Sequence, residues 1–259
     1  MDKNKILFVG AMQTELVPLI KSLGATQNQK LLGFFPFYKA THNSTEIYIV
    51  ETFVGETNAS IATFEAIQEV DPDLVIKFGC VGGSYAESKK GDVIVPLGFF
   101  HRTSWITRTK DGEPTKDSSL WQSVFGELPH QVNSQNLGGL PYFYPANKKL
   151  INVSQKILAD LNTKAVTCYV GGGNIWAFSQ EFLKNMAKVM LPKNITNFVS
   201  DMESYSVAHA CYILDRPFFG CYVVASNDYT DEPYNPENVS EQSTSLVSYA
   251  LKLVDEFNQ

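Results

Sequence analysis

The chain has 259 residues, 44% of them apolar and 19% charged, with a formal net charge of −6 at pH 7. That is enough apolar material for one large core, and residues 1–259 are read as a single domain. The acidic balance, with Lys89–Lys90 and Lys148–Lys149 the only adjacent basic pairs, argues against a nucleic-acid partner; no apolar run approaches the roughly 18 residues of a membrane span.

In chain order, Ile6–Val9 is a short apolar run ending at Gly10, the pattern of a buried strand. It is too short for a signal segment, so a soluble, cytoplasmic protein is expected. Leu16, Leu19, Ile20 and Leu23 fall at helical spacing within 13–23, and Gly24 stops that helix. Phe35–Tyr38 and Glu46–Glu51 read as strands around a His42-Asn43-Ser44 turn. A helix follows over 58–70, ended by Asp71-Pro72. Leu74–Phe78 is a second buried strand, running into a glycine-rich turn over 79–83, and 92–97 is strand-like.

Residues 102–145 are polar, rich in Gly and Pro, and dotted with Trp105, Trp121, Tyr142, Phe143 and Tyr144. The aromatic content favours ordered loops within the domain over a linker. Beyond it, helices are expected over 148–161, 177–190, 203–214 and 240–257, and strands over 165–170, 197–200 and 217–225. The alternation implies an α/β fold: three α/β/α layers around a mixed, largely parallel sheet. Cys80, Cys168, Cys211 and Cys221 form no CxxC pair and lie in apolar stretches, so free buried thiols are expected rather than disulfides. The four His and four Cys show no metal-ligand spacing, and neither metal nor cofactor is expected.

Four segments follow strands, where such sheets build their sites. Gly10–Glu15 (GAMQTE) puts Glu15 near a helix start, where a carboxylate serves a ligand or simply the helix dipole. Gly79–Gly83 (GCVGG) lets backbone N–H groups of Cys80, Val81 and Gly82 approach a ligand, or merely makes a tight turn; it matches neither GxGxxG nor a P-loop. Ser200–Ser204 (SDMES) offers Asp201 and Glu203, either to grip vicinal hydroxyls or to cap the next helix. Ala225–Asp228 (ASND) delivers Asp228 from a long apolar strand, as a desolvated general acid or as ordinary turn chemistry.

Taken in this order, the four segments resemble the nucleoside phosphorylase/nucleosidase superfamily, most closely its 5′-methylthioadenosine/S-adenosylhomocysteine nucleosidases, over nearly the whole chain. The resemblance implies that Glu15 holds the attacking water and Asp228 protonates the purine leaving group. It implies that Glu203 grips the ribose hydroxyls with Met202 packed against the sugar, and that Gly172–Phe178 (GGNIWAF) meets the base through Ile175 and Trp176. Asn227 takes the place of a Ser that supports the acid, and His101 resembles a ribose-side His. The implied activity is hydrolysis of a purine nucleoside by a homodimer. Phosphorolysis, with Lys77 as the phosphate cation, and a non-catalytic nucleoside binder are the alternatives. Carboxylates suit the chemistry, because cleavage builds positive charge on the sugar and the base must be protonated to leave.

Overall fold

Along the first strand, Ile6 and Phe8 join one apolar cluster while Leu7 and Val9 join another, and none of the four is solvent-exposed. A strand apolar on both faces has to be covered on both, which is the reason for layers here. The computed structural model describes residues 4–126 and 142–257. Its elements are β1 (Lys5–Gly10), α1 (Gln13–Leu23), β2 (Thr26–Leu31), β3 (Phe35–His42), β4 (Thr45–Glu51), α2 (Glu56–Val70), β5 (Leu74–Gly83) and β6 (Val93–His101). There follow β7 (Trp105–Ile106), β8 (Gln122–Ser123), β9 (Phe143–Pro145), α3 (Lys148–Asp160), β10 (Ala165–Gly172), α4 (Gln180–Met190), β11 (Phe198–Asp201), α5 (Ser204–Ile213), β12 (Phe218–Asn227) and α6 (Val239–Phe257).

The main sheet runs β11-β10-β6-β12-β5-β1-β4-β3-β2, with β9 added beside β6. Pairings β1–β4, β1–β5, β5–β12, β6–β10 and β10–β11 are parallel, and the β2–β3–β4 arm is antiparallel. β5 also pairs antiparallel with β11 through Gly82 and Gly83, so β5, β12, β6, β10 and β11 close into a ring. Helices α1, α3 and α6 cover one face and α2 with α5 the other. The expected three-layer α/β architecture with a mixed sheet is therefore present.

Local signals explain the boundaries. Gly24 adopts the left-handed conformation that ends α1, and Ala25 N–H returns to the Ile20 carbonyl. Asn147 and Ser179 cap α3 and α4 through their side chains. The ordered-loop reading of the aromatic segment holds where it is described. Trp105 and Trp121 both pack edge-on against Phe182 of α4, and β9 pairs with β6. The remainder, 127–141, lies outside the described residues.

Two expectations are corrected. The stretch 79–83 is not a turn after the strand but the last half of β5, kept in the ladder by pairing with β12 and then β11. β2 was not expected at all: Thr26–Lys30 is polar and exposed, because an edge strand lying on one hairpin needs little burial.

Candidate functional site

The strand ends converge on one cleft. It is lined by Ala11, Met12 and Glu15 from the β1–α1 junction, by Cys80, Val81 and Gly82 from β5, and by Ile175 and Trp176 beyond β10. Ser200 to Glu203 at the β11–α5 junction and Ala225, Ser226 and Asp228 at the end of β12 complete that wall, together with Val54, Arg102 and Tyr234.

Glu15 is buried and its carboxylate is held by main-chain donors. Oε2 accepts from Ala11 and Met12 N–H at 3.2 and 3.1 Å, and Oε1 accepts from Cys80 N–H at 2.8 Å. The helix start thus uses Glu15 as a cap and presents it to the cleft at once, so the two alternatives at this position coexist. Gly79 is required by this arrangement: a Cβ there would lie 2.5 Å from Oε1. Gly82 serves Asp228 in the same way, since its Cβ would lie 2.9 Å from Oδ2.

Asp228 is almost fully buried. Burial raises its pKa above the usual carboxylate range, against the opposing pull of the Trp176 hydrogen bond, Arg102, Ser226 and Ser200. Trp176 Nε1 donates to Oδ1 at 3.0 Å and Ser226 Oγ donates to the same oxygen at 3.2 Å. Trp176 itself is 52% exposed, stacked on Phe178 and set edge-on to Tyr234. It forms an aromatic flap over the acid.

Glu203 and Asp201 share a cation from behind the wall. The fully buried Lys77 Nζ lies 3.8 Å from Glu203 Oε2 and 4.0 Å from Asp201 Oδ2. Burial lowers the Lys77 pKa, but Glu15, Glu203 and Asp201 outweigh it and hold the ammonium above the ordinary lysine value. One ammonium cannot neutralise three carboxylates, so the least supported one holds a proton. Glu15 has three amide donors, and Asp201 accepts from Glu203 N–H, Ser204 N–H and Ser204 Oγ. Among the described residues Glu203 has only Gly55 N–H, at 2.9 Å. Its burial pushes it up to about 8, against the pull of Lys77.

Three residues singled out from the sequence lie outside the cleft lining. Asn227 does not support Asp228: its Nδ2 donates to the Tyr85 and Ser88 carbonyls, and its Oδ1 accepts from Tyr229 and Thr230 N–H. It knits two loops together, and Ser226 reaches the acid instead. His101 faces Glu56, with Nε2 at 3.1 Å from Oε1, and contacts Tyr205 and Phe125. Lys77 is likewise walled off from the cleft, behind Glu203 and Asp201. Arg102 was missed. It stood at the start of the irregular segment with no motif around it, and only the fold turns it inward, 2% exposed, against Ile175 and Asp201. Among the described residues no cluster of three or more His, Cys, Asp or Glu is arranged to hold a metal ion. Nor, among them, is any helix long and apolar enough to cross a membrane.

Residues 5–258 match the family model of the phosphorylase superfamily. The chain is 26% identical to a 5′-methylthioadenosine/S-adenosylhomocysteine nucleosidase of Shewanella loihica, over 88% of this chain and 89% of that one. Its fold is similar to that of a Helicobacter pylori nucleosidase of the same name, a mutant with 5′-methylthioadenosine in its active site, at TM-score 0.77, 18% identity, and coverage of 99% and 100%. It is similar also to the futalosine hydrolase of Helicobacter pylori, at TM-score 0.76 and 17% identity, covering 98% of each chain. With the match running almost end to end, the chain belongs to the phosphorylase superfamily.

Proposed function

We propose that the cleft hydrolyses the N-glycosidic bond of a purine nucleoside, with 5′-methylthioadenosine and S-adenosylhomocysteine as substrates. The observation that carries the reading is the presence of Glu15, Glu203 and Asp228 around one cleft, each in a different environment. Asp228 is desolvated and therefore able to keep a proton for the leaving base. Glu15, on the opposite strand end, is fixed by three amides and aims at water. Glu203, next to Met202, grips the ribose hydroxyls. Ile175 and the flap of Trp176 enclose the base, and the backbone of Cys80, Val81 and Gly82 lines its path. As the C1′–N9 bond breaks, the pair leaves with the base, Asp228 protonates N7, and water bonds to C1′ while Glu15 takes its proton. The similar nucleosidases named above support this substrate class.

Hydrolysis is favoured over phosphorolysis because Lys77 lies behind the wall, paired with carboxylates, and Glu15 would repel a phosphate. A cytoplasmic location is supported by four free, buried thiols. A homodimer is supported by the exposed Ile61, Phe64, Tyr212 and Ile213 on the packed helices α2 and α5.

The test is chromatography of the products from 5′-methylthioadenosine, with and without phosphate. Adenine and free methylthioribose without phosphate are expected. A 1-phosphate product, formed only with phosphate, overturns the hydrolase. Absence of any product overturns the adenine–thioether assignment, and a panel of other nucleosides then decides between another substrate and a non-catalytic binder.

A further inference from the structure

Helix α2 starts without a side-chain cap of its own, because its N-cap is Gly55. A helix start leaves amide donors unpaired, and polar or anionic acceptors satisfy them. Here two adjacent amides are served from distant parts of the chain. Gly55 N–H donates to Glu203 Oε1 at 2.9 Å, and Glu56 N–H donates to Asn174 Oδ1 at 3.0 Å. The acceptors lie 148 and 118 positions further along. Glycine suits this junction, since φ is +106° and a Cβ would lie 3.4 Å from Asn174 Oδ1.

Asn174 is itself firmly placed. It is the middle residue of a three-residue turn, closed by Ile175 N–H on the Gly173 carbonyl at 2.8 Å. Gly173 N–H in turn donates to the Asp201 carbonyl at 3.2 Å. Asn174 does not line the cleft, whereas Ile175 after it and Val54 before Gly55 both do. On the other side of the helix start, Glu56 Oε1 is 3.1 Å from His101 Nε2. That imidazole is also within 3.0 Å of Thr103 Oγ1 and 2.9 Å of Ser104 Oγ. The first turn of α2 is thus held by its main chain at Asn174 and by its side chain at His101. Among the described residues Gly55 N–H is the only hydrogen-bond donor to the Glu203 carboxyl, since Lys77 stands off at 3.8 Å. Where Oε1 rests therefore follows where Gly55 rests, and a misplacement of about 1 Å is enough to spoil a reacting geometry.

We infer that Asn174 is a positioning residue: by holding the first amide of α2 it fixes Gly55, and through Gly55 it aims Glu203 at the ribose hydroxyls. This rests on the hydrolase reading above, in which Glu203 meets the sugar. Asn174 touches neither substrate nor water of the reaction and exchanges no proton. Its carboxamide oxygen accepts one N–H and contributes direction.

The experiment measures kcat/KM for 5′-methylthioadenosine and for its 2′-deoxy counterpart, by adenine release, on the wild type, Asn174→Ala and Asn174→Asp. Inhibition by free adenine is measured beside them. The wild type should favour the ribose compound by about tenfold or more, because a carboxyl group placed to meet a hydroxyl is left unpaired without it. Asn174→Ala should cut that preference by about fivefold or more. The inhibition constant of adenine, which carries no sugar, should move by less than about twofold. Asn174→Asp keeps an acceptor at the same place and suits a helix start, so it should recover most of the preference. A preference unchanged in Asn174→Ala, or lost equally in both variants, overturns the inference. So does a matching loss of adenine inhibition, which would put Asn174 in the service of the base. A wild type without preference for the ribose compound overturns the role of Glu203 and this inference with it. No adenine from either compound overturns the hydrolase reading as well.

Discussion

Replacing Lys77 by methionine removes the ammonium that Glu203 and Asp201 share while keeping most of the side-chain volume. At 4.0 Å from Asp201 and an effective permittivity near 20, one such attraction is on the order of 4 kcal/mol. Removing one partner of a fully buried pair costs about 3–5 kcal/mol, because the carboxylates stay behind without compensation. For a chain of this length that lowers the urea midpoint by roughly 1–2 M. The loss also has a pH signature. Glu203 is raised from 4.5 to about 8 in the folded protein, so its contribution to stability is complete below 4.5 and is lost as pH rises through about 8. The Lys77 pKa is itself raised, so the cation is present throughout this window. Without it, the folded Glu203 holds its proton to higher pH still. The gap between variant and wild type is then constant from pH 5 to 7 and widens above pH 8, by about 1.4 kcal/mol per pH unit until the new pKa is passed. Urea titrations at pH 6, 7, 8 and 9 measure it. A gap below about 1 kcal/mol, or one that does not widen, would falsify the shared-cation account and mean that water reaches these groups.

Other changes follow from the same geometry. Asp228→Asn and Glu15→Gln should each lower kcat by about 10²- to 10⁴-fold while circular dichroism is preserved; a loss under tenfold for either removes that residue from the mechanism. Gly79→Ala drives a Cβ to 2.5 Å from Glu15 Oε1, which three amides prevent from moving aside, so activity should fall at least tenfold and stability by about 1–3 kcal/mol. An unchanged thermal midpoint would show that the carboxylate is free to shift. Trp176→Phe deletes the hydrogen bond that lowers the Asp228 pKa, so the acid stays protonated further up and the alkaline limb of the kcat/KM profile moves to higher pH; movement to lower pH contradicts the assignment. Asn227→Ala breaks four hydrogen bonds that join two loops, and should cost about 2–4 kcal/mol in denaturant titrations. A cost confined to kcat would return Asn227 to the acid's support.

The layered fold was legible because buried strands such as Ile6–Val9 and helices such as 13–23 carry unmistakable apolar spacing, and because Gly24 and Asp71-Pro72 mark their ends. The four strand-end segments were legible as candidates for the same reason. Residues whose role depends on pairing were not. β2 is polar because an edge strand needs no buried face, and the second half of β5 was disguised by glycines that the carboxylates of Glu15 and Asp228 require. Arg102 and Lys77 carry no local pattern either. A single cation in an apolar or irregular stretch declares itself only when distant carboxylates and carbonyls, 71 to 126 positions further along, fold against it. Asn227 and Ser226 are neighbours in sequence with opposite facings, and alternation along β12 decides which of them meets the acid.

The antiparallel join of β5 to β11 makes the five strands beneath the cleft a hoop, not a ribbon. A ribbon can lose a residue of register at its margin and leave the rest alone. In a hoop the same slip must be absorbed all the way round, because each strand is clasped on both sides. Glu203 and Asp228 follow the last residues of β11 and β12, two of those strands, so the distance between them is a property of the circumference. The GGNIWAF stretch that leaves β10 is irregular from Gly173 onward and bears no such constraint. Substitutions that retune what the pocket admits are therefore to be sought in that stretch, while the spacing of the two carboxylates changes only when the whole ring does.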